Sequence, residues 1–217
     1  MKYTILSALI IGIIHANVYA TLSHHKANPL QEINEHQVAD NSFSVAWTRD
    51  ANSVKTLCDS NHPLWQSFNP EGIAHNSGRS SEQICAENGV MNWYEANAWI
   101  SHLNSNSYLG HTDWRLPSVD LNDPACSVHI GSADAQRSAS FGQGCSNSEL
   151  GHLYQTVLST PSHKSTLFTH LSDATYWSSS ELPINHSLVG IYDLEGGWQD
   201  AVGKSSDLLN VWPIHSL

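Results

Sequence analysis

The start of the chain constrains its fold more than any other feature, because it has the pattern of an export signal. Lys2 precedes an uncharged apolar run from Thr4 to Ile14, and small residues follow as far as Ala20. This order is typical of a secretory signal peptide. We expect cleavage after Ala20, so residues 1–20 are removed and the mature protein is secreted or periplasmic.

The rest of the chain has no segment that predicts a membrane anchor. The apolar run from Thr4 to Ile14 is about half the length of a spanning helix, and no later segment approaches about 20 apolar residues. The first cysteine, Cys58, is far from the expected cleavage site, so a lipid-anchored lipoprotein is also disfavoured. The sequence therefore predicts no membrane insertion.

Export favours disulfide bonds over free thiols. Four cysteines follow the signal, namely Cys58, Cys85, Cys126 and Cys145. Their connectivity is open from sequence alone. We favour Cys58 with Cys85 and Cys126 with Cys145, because each pair encloses a stretch rich in Gly, Ser and Asn, and each bridge is expected to contribute about 3 kcal/mol. A zinc site is disfavoured because no two cysteines have the close spacing that such sites use.

The charge balance excludes several partner classes. The formal net charge is -11, and no Lys/Arg cluster offsets it. Binding to nucleic acid or to anionic membrane surfaces is therefore not expected. The chain also has 14 histidines, whose protonation under mild acidity would cancel most of this charge. We hypothesise that association with surfaces strengthens at mildly acidic pH as self-repulsion fades.

The remaining length suits one domain. Residues 21–40 are polar without an apolar period and predict a flexible lead-in, so the domain is expected to span residues 41–217. Alternating apolar residues from Phe43 to Thr48 predict a half-buried first strand. Residues 50–88 are rich in Asn, Ser, Gly and Pro, which indicates long loops.

Two segments have helix-start signals. Asn92 is a candidate cap with Glu95 three residues later, and an apolar stripe continues to a predicted end near Asn104. Ser146 with Glu149 gives the same signal for a second helix that ends before Pro161.

Later segments have the features of short strands. These are Thr175–Ser178, Leu188–Leu194, Trp198–Val202 and Leu208–Ile214. The turn at Glu195–Gly197 predicts a hairpin between the second and third of them. Together the patterns predict an α+β domain with two helices, a small antiparallel sheet and long loops.

Several blocks of the chain resemble, in the same order, the Lcl C-terminal domain family. They are Ala46–Asn52, Asn92–Asn104, Tyr108–Pro117 with its DWRLP pentapeptide, Cys145–Leu153 and Tyr176–Glu181 with its YWSSSE pattern. The resemblance implies a C-type-lectin-like fold, distantly related to formylglycine-generating enzymes, in an exported bacterial protein of a family with members implicated in adhesion. Where the family usually ends in a Val-Arg repeat, this chain has Asn210–His215.

The motif residues have a structural and a functional interpretation. The set comprises Asp113, Trp114, Arg115, Pro117, Tyr176, Trp177 and Glu181. Arg115 and Trp114 have the groups to bind a carboxylate and stack on a ligand. We favour the structural interpretation, in which Trp114 lies in the core and Arg115 pairs with Asp113 or Glu181, tying the loop to the strand that contains Tyr176 and Trp177.

Catalytic and metal motifs are not found. The late strands contain no cysteine for copper-dependent oxidation, and the chain has no Gly-x-Ser-x-Gly elbow and no His-Glu-x-x-His pattern. Glu149 and His152 form a single pair at one-turn spacing, whereas a dimetal site needs several. Glu181, Asn185 and Asp193 are candidates for calcium or a sugar hydroxyl, although loop carboxylates are usually only solvated.

We therefore predict an exported, non-catalytic binding or adhesion module for glycans or cell-surface proteins, without a cofactor or metal. Trp65, Trp198 and Trp212 are candidate stacking contacts for sugars if their side chains are exposed. The alternatives are a structural envelope component and a degenerate relative of formylglycine-generating enzymes.

Overall fold

The computed structural model describes residues 30–75, 78–131, 138–159 and 167–217. The predicted signal peptide and the beginning of the predicted lead-in lie outside the described residues. The described part of the chain mixes helices with antiparallel strands, so the α+β prediction is confirmed. Within it, no helix combines the length and the apolar character needed to span a membrane.

Five α-helices occur in the described ranges, where two were predicted. They are α1 (Ser53–Asp59), α2 (Pro63–Gln66), α3 (Ser81–Ala86), α4 (Trp93–Ser105) and α5 (Glu149–Leu153). A 3-10 turn spans Tyr108–Gly110, and a π-helix, Tyr154–Leu158, continues α5.

The strands form two antiparallel sheets rather than one small sheet. The strands are β1 (Leu30–Asn34), β2 (Gln37–Asp40), β3 (Val45–Thr48), β4 (Val128–Gly131), β5 (Ser138–Gln143), β6 (Thr175–Glu181), β7 (Leu188–Asp193), β8 (Trp198–Gly203) and β9 (Ile214–Ser216). The first sheet has the order β1-β2-β3-β9 and the second has the order β4-β5-β8-β7-β6.

The second sheet lies between two apolar clusters. Successive side chains of a strand point to opposite faces. Tyr176 accordingly belongs to the cluster that contains Trp47 and Trp212, whereas its neighbour Trp177 belongs to the cluster that contains Trp99. One strand thus supplies a fully buried aromatic ring to each cluster.

Helix α4 forms where its cap signal predicts. The side chain of Asn92 accepts a hydrogen bond from the Glu95 amide, and the Glu95 carboxylate accepts one from the Asn92 amide. Glu95 is fully buried and forms an ion pair with Arg79. The reciprocal cap therefore also anchors the helix to the segment before α3.

The second predicted helix begins later than its signal suggests. Ser148, rather than Ser146, caps α5, with its hydroxyl accepting a hydrogen bond from the Gly151 amide at 3.2 Å. The Ser146 amide instead donates to the Asp123 carboxylate. The prediction of Ser146 as the cap was wrong because a distant carboxylate already binds the backbone at this position.

The predicted flexible lead-in is wrong for residues 30–40, which form the hairpin β1–β2. Its polar composition conceals buried positions, since all four residues of β2 are buried between β1 and β3. The two polar side chains of β2 have partners there. Gln37 contacts His215, and Asp40 accepts a hydrogen bond from the Ser42 amide.

The predicted long loops at residues 50–88 contain α1, α2 and α3. Each of these helices is short and begins at a polar cap, namely Asn52, His62 and Ser80. The helices are too short to show an apolar period in the sequence, and they are held by packing and by a disulfide instead. The loop prediction is therefore wrong for the residues of these three helices.

Strands β6, β7 and β8 lie where they were predicted, and β7 and β8 form the expected hairpin. Strand β3 also lies in the expected segment, but all four of its residues are buried rather than half of them. The predicted strand at Leu208–Ile214 is wrong. Only isolated bridges occur at Leu209 and Asn210, and the regular strand is β9.

Both favoured cysteine pairs lie at disulfide distance. The Cα atoms of Cys58 and Cys85 are 5.9 Å apart, and those of Cys126 and Cys145 are 4.2 Å apart. The first pair joins α1 to α3, and the second joins the segment before β4 to the segment before α5. Each bridge therefore closes one of the Gly/Ser/Asn-rich stretches that the sequence singled out.

Candidate functional site

A groove crosses the surface beside α1 and the 3-10 turn. Its deeper part has a volume of about 400 Å³, and a neighbouring part of about 520 Å³ shares the residues His62, Tyr108 and Leu109 with it. We call this continuous feature the α1 groove. Its wall on one side is the β1–β2 turn at Glu35 and His36. A volume of this size suits a small ligand or part of an oligomeric one.

Two buried polar atoms on the groove lining have unused hydrogen-bonding capacity. Ser53 is 2 % exposed, and its hydroxyl has no hydrogen-bond partner in the described part of the chain. The same holds for Nε of Arg49, whose Nη1 binds the Glu32 carboxylate. Unpaired buried polar atoms are costly, and these two lie directly behind the groove surface, where a small shift of the lining would open them to a partner.

His62 and Tyr108 add two further polar groups to the groove. Nδ1 of His62 accepts a hydrogen bond from the Leu64 amide at 3.2 Å, which leaves Nε2 as the protonated nitrogen of the neutral ring. Among the described residues, neither this nitrogen nor the Tyr108 hydroxyl has a partner. Burial and, to a smaller extent, the Asp50 charge raise the pKa of Tyr108 to about 12. Its hydroxyl therefore remains a donor.

Asp50 is held in place rather than free to move. One of its carboxylate oxygens accepts a hydrogen bond from the Asn52 amide at 2.9 Å and lies 3.1 Å from Nδ1 of His170. The same ring nitrogen lies 3.2 Å from the hydroxyl of Thr56. This set joins α1 to the segment after residue 167 and fixes the carboxylate on the groove lining.

The backbone around the groove has left-handed conformations at residues other than glycine. The φ angles are 47° at Ser107, 51° at Leu109 and 50° at His170. This conformation costs an L-residue about 1–2 kcal/mol. Strain of this kind clusters at functional sites, where the surrounding structure enforces it.

The resemblance motif supports the 3-10 turn of the groove. The Trp114 ring is 2 % exposed, and its Nε1 donates to the Tyr108 carbonyl at 2.9 Å. The Asn104 side chain binds both backbone groups of Trp114, at 2.7 Å and 2.9 Å. Trp114 is therefore a core residue, and its indole positions Tyr108 at the groove.

Arg115 has a different partner from those predicted. Its guanidinium pairs with Glu149 at the start of α5, and not with Asp113 or Glu181. Asp113 instead accepts a hydrogen bond from the Ser216 amide, and Glu181 pairs with Lys204. The predicted tie from Arg115 to the Tyr176–Trp177 strand is wrong. The Glu149 carboxylate also accepts a hydrogen bond from the Ser118 amide, and this bond holds it close to the Arg115 guanidinium.

The two motif segments nevertheless meet, through Pro117. Its carbonyl accepts a hydrogen bond from the Ser179 amide at 2.8 Å, and the Ser180 hydroxyl donates to the Val119 carbonyl at 2.7 Å. In the same strand, Trp177 Nε1 donates to the Met91 carbonyl at 2.7 Å. Backbone groups, together with the Ser180 hydroxyl, thus make the connection that the sequence attributed to Arg115.

Of the three tryptophans predicted as possible sugar contacts, only Trp198 is exposed. Trp65 is 6 % exposed and Trp212 is fully buried, so both belong to the core and the prediction is wrong for them. Trp198 is 42 % exposed and lies on β8 opposite Gln143 and Asp193. All eight tryptophans lie in the described ranges, and Trp198 is the single exposed one.

Among the residues that the structure describes, three side-chain clusters have spacings compatible with a metal, but their chemistry does not fit one. Two of them depend on cysteines that are paired as disulfides and offer no thiolate. The third comprises His111, Asp113 and His215. Both ring nitrogens of His215 are already in hydrogen bonds, with Gln37 and with the Ser216 carbonyl. No lone pair of His215 is left for a metal in this conformation.

The other residues that the sequence suggested as metal or sugar ligands each bind a different partner. Glu149 pairs with Arg115, and His152 lies 3.9 Å from the Asp40 carboxylate. Asn185 accepts a hydrogen bond from the Ser187 amide, and Asp193 accepts those of the turn that follows β7. These residues have local structural roles and do not form one site.

Sequence patterns did not identify the α1 groove. Arg49 and Tyr108 lie inside blocks that resemble the family, but nothing in the sequence marks Ser53 or His62 as their neighbours. The groove brings together segments that are far apart in the chain, which a linear pattern does not show. No protein-family model, curated protein or solved structure matches the chain.

Proposed function

We propose that this chain is an exported, non-catalytic binding module that takes an oligosaccharide in the α1 groove. One observation carries the proposal. Arg49, Ser53, His62 and Tyr108 line one groove, and each has a polar atom without a partner among the described residues. Protein sites that bind small molecules combine apolar surface with a few such polar groups.

The chemistry of the lining favours a sugar over an apolar ligand. Nε of Arg49 and Nε2 of His62 are donors, and the Ser53 and Tyr108 hydroxyls both donate and accept. The ring of Tyr108 and the side chain of Leu109 add apolar surface. Sugars have dense hydroxyl groups on apolar faces, and this lining complements both. The two joined parts of the groove favour more than one sugar unit.

The fold and the cellular context are part of the proposal. We infer a C-type-lectin-like fold and membership of the Lcl C-terminal domain family from the ordered motif blocks, and the α+β architecture with two antiparallel sheets is compatible with both. Secretion or periplasmic location is inferred from the signal pattern and is supported by two cysteine pairs at disulfide distance. Adhesion to surface glycans is the role we favour.

A glycan array on the mature domain, residues 21–217, tests the proposal. We expect a reproducible signal that Tyr108→Phe and Ser53→Ala reduce by about threefold to tenfold each, because each removes a hydroxyl group that the proposal assigns to sugar binding. Tyr94→Phe is the matched control, since Tyr94 lies outside the groove lining, and its signal should be unchanged.

Two other outcomes would contradict the groove assignment. Loss of the signal in Trp198→Ala, with both groove variants unaffected, would place the sugar on the exposed face of β8. A silent array together with protein partners recovered by cross-linking would favour the structural envelope component.

A further inference from the structure

A chain of side-chain hydrogen bonds connects a buried histidine to the wall of the α1 groove. His215 on β9 is 3 % exposed and Gln37 on β2 is 4 % exposed. Nε2 of His215 lies 2.7 Å from Nε2 of Gln37, and Oε1 of Gln37 accepts from Nδ2 of Asn34 at 2.8 Å. Oδ1 of Asn34 accepts from the backbone amide of His36 at 2.8 Å. His36 is part of the groove wall.

Both ends of this chain are backbone groups, so its direction is fixed. At one end Nδ1 of His215 lies 2.6 Å from the Ser216 carbonyl, which can only accept. At the other end the His36 amide can only donate. Nδ1 of His215 is therefore the protonated nitrogen, and Nε2 accepts from Gln37. Every group in the chain is satisfied when the His215 ring is neutral.

An added proton on His215 cannot be accommodated in this arrangement. Nε2 of the protonated ring would donate toward the amide nitrogen of Gln37, which also donates. If the Gln37 amide group rotates by 180°, its NH2 group faces the NH2 group of Asn34, so two donors meet there instead. If the Asn34 amide group also rotates, its NH2 group faces the His36 backbone amide, which can only donate and cannot rotate. One hydrogen bond must break wherever the side chains turn.

We propose that His215 is a proton-sensitive latch of the α1 groove: protonation of its ring breaks the chain to His36 and moves the wall formed by Glu35 and His36. The latch regulates ligand binding in the α1 groove, and in this respect it rests on the proposed function. The latch is distinct from the hypothesis about net charge: that hypothesis concerns self-repulsion of the whole chain at mildly acidic pH, whereas the latch concerns the shape of the groove.

The surroundings of His215 lower its pKa from the ordinary value of histidine. Its ring stacks on His111 with centroids 3.6 Å apart and meets Trp114 edge-on at 4.7 Å. Burial is the main cause that lowers the pKa of His215 below 6.5, and His111 lowers it further. The Ser216 carbonyl and the Asp113 carboxylate act in the opposite direction without cancelling the effect. His111 and Asp113 are the titratable groups that face the ring.

The wall is also connected to the groove floor, which provides a reporter. The Arg49 amide donates to the His36 carbonyl at 2.7 Å. Neither this amide nor the side-chain amides of Asn34 and Gln37 titrate in the range of histidine. Their NMR signals therefore report movement of the wall without a contribution from their own protonation.

The experiment is an NMR titration of the mature domain, without sugar, from about pH 7.5 to about pH 5. We expect the Arg49 amide and the side-chain amides of Asn34 and Gln37 to shift with the midpoint of the His215 ring. In His215→Gln, which retains an acceptor for Gln37 and does not titrate, this transition should disappear although His111 remains. An unchanged transition at the Arg49 amide in His215→Gln, or none in the original protein, would overturn the latch.

A second variant should make the protonated state of His215, rather than the neutral state, the one in which the chain is satisfied. Gln37→Glu offers the protonated His215 ring an acceptor while it still accepts from Asn34, so every group in the chain is satisfied in the protonated state. We expect the pKa of His215 to rise above 6.5 and the Arg49 amide transition to shrink. A His215 pKa that stays below 6.5 in Gln37→Glu would contradict the hydrogen-bond directions assigned above.

The matched control is His186→Gln, which removes an exposed histidine that is paired with Glu181. It should leave the Arg49 transition intact. Because the titration uses no sugar, its failure overturns the latch alone, whereas a silent glycan array overturns the proposed ligand alone.

Discussion

Arg115 and Glu149 form a two-bond fork across 34 positions of sequence, with Nη1 2.9 Å from Oε2 and Nη2 2.5 Å from Oε1. The Glu149 side chain is 7 % exposed and that of Arg115 is 41 % exposed. We expect Arg115→Ala to lower the free energy of unfolding by about 1–2 kcal/mol, because it leaves a buried carboxylate without its main partner while solvent screens part of the effect.

Urea unfolding and the melting temperature measure this loss. Arg115→Lys is the control, since it retains the charge but not the planar fork, and it should recover only part of the stability. An unchanged melting temperature in Arg115→Ala would show that the fork has no structural role.

The same pair predicts an acid dependence of stability. Burial alone would raise the pKa of Glu149, but the hydrogen bonds and charge of Arg115, with the Ser118 amide, outweigh it and hold the pKa below 4.5. A carboxyl group with a lowered pKa in the folded state stabilises the protein above its unfolded value, and this contribution is lost as pH falls through the folded value. In Arg115→Ala burial dominates and raises the folded pKa of Glu149 above its unfolded value, so the sign reverses: this carboxyl group should destabilise the variant as pH rises above 4.5, and the acid loss that it causes in the original protein should disappear. Unfolding curves over the acid range compare the two proteins.

Alanine substitutions at the two adjacent glycines before β8 should have different effects on the free energy of unfolding. Gly197 has a φ of 65°, and a Cβ there would overlap the ring of Tyr154. Gly196 has only Asp193 Oδ2 nearby, at 3.7 Å. We expect Gly197→Ala to cost about 1–3 kcal/mol of unfolding free energy and Gly196→Ala to cost less than about 0.5 kcal/mol. Equal losses would contradict the close approach of Tyr154.

Relief of strain beside the groove should stabilise the fold. Ser107 is exposed and has a φ of 47°, so Ser107→Gly is expected to raise the free energy of unfolding by about 0.5–1 kcal/mol. Ser105→Gly, at the last residue of α4, is the matched control and should lower it. Thermal unfolding of both variants checks the sign. A loss of stability in Ser107→Gly would show that its backbone is not strained.

The bridge between Cys58 and Cys85 should stabilise the helices beside the α1 groove. Replacing both cysteines by serine is expected to lower the free energy of unfolding by about 3 kcal/mol, because the unfolded chain regains the freedom of a 27-residue separation. Mass spectrometry before and after alkylation checks the pairing in the original protein. Four reduced thiols there would contradict both bridges.

Local signals were sufficient for some elements. Asn92 and Glu95 lie three residues apart and cap each other, so the start of α4 depends only on neighbours in the chain. The β7–β8 hairpin has the same property, because the turn at Glu195–Gly197 selects it.

Elements that depend on distant partners were not predictable in this way. Gln37 makes β2 look solvent-exposed in the sequence, yet its amide binds His215, 178 positions away. The predicted partner of Arg115 was wrong for the same reason, since Asp113 and Glu181, the two carboxylates named from the sequence, bind other groups in the fold. The α1 groove joins α1, the 3-10 turn and the β1–β2 turn, and only the folded arrangement brings them together.

The opposed burial of Tyr176 and Trp177 limits how this chain can change in length. A single inserted residue ahead of the pair within β6 would turn each ring into the space shaped for the other. Loops on either side of the strand can gain or lose residues over evolutionary time, whereas the strand itself tolerates substitution but not a shift of frame. The adjacent Tyr176 and Trp177 therefore fix the register of β6, and changes of length are confined to the segments on either side of it.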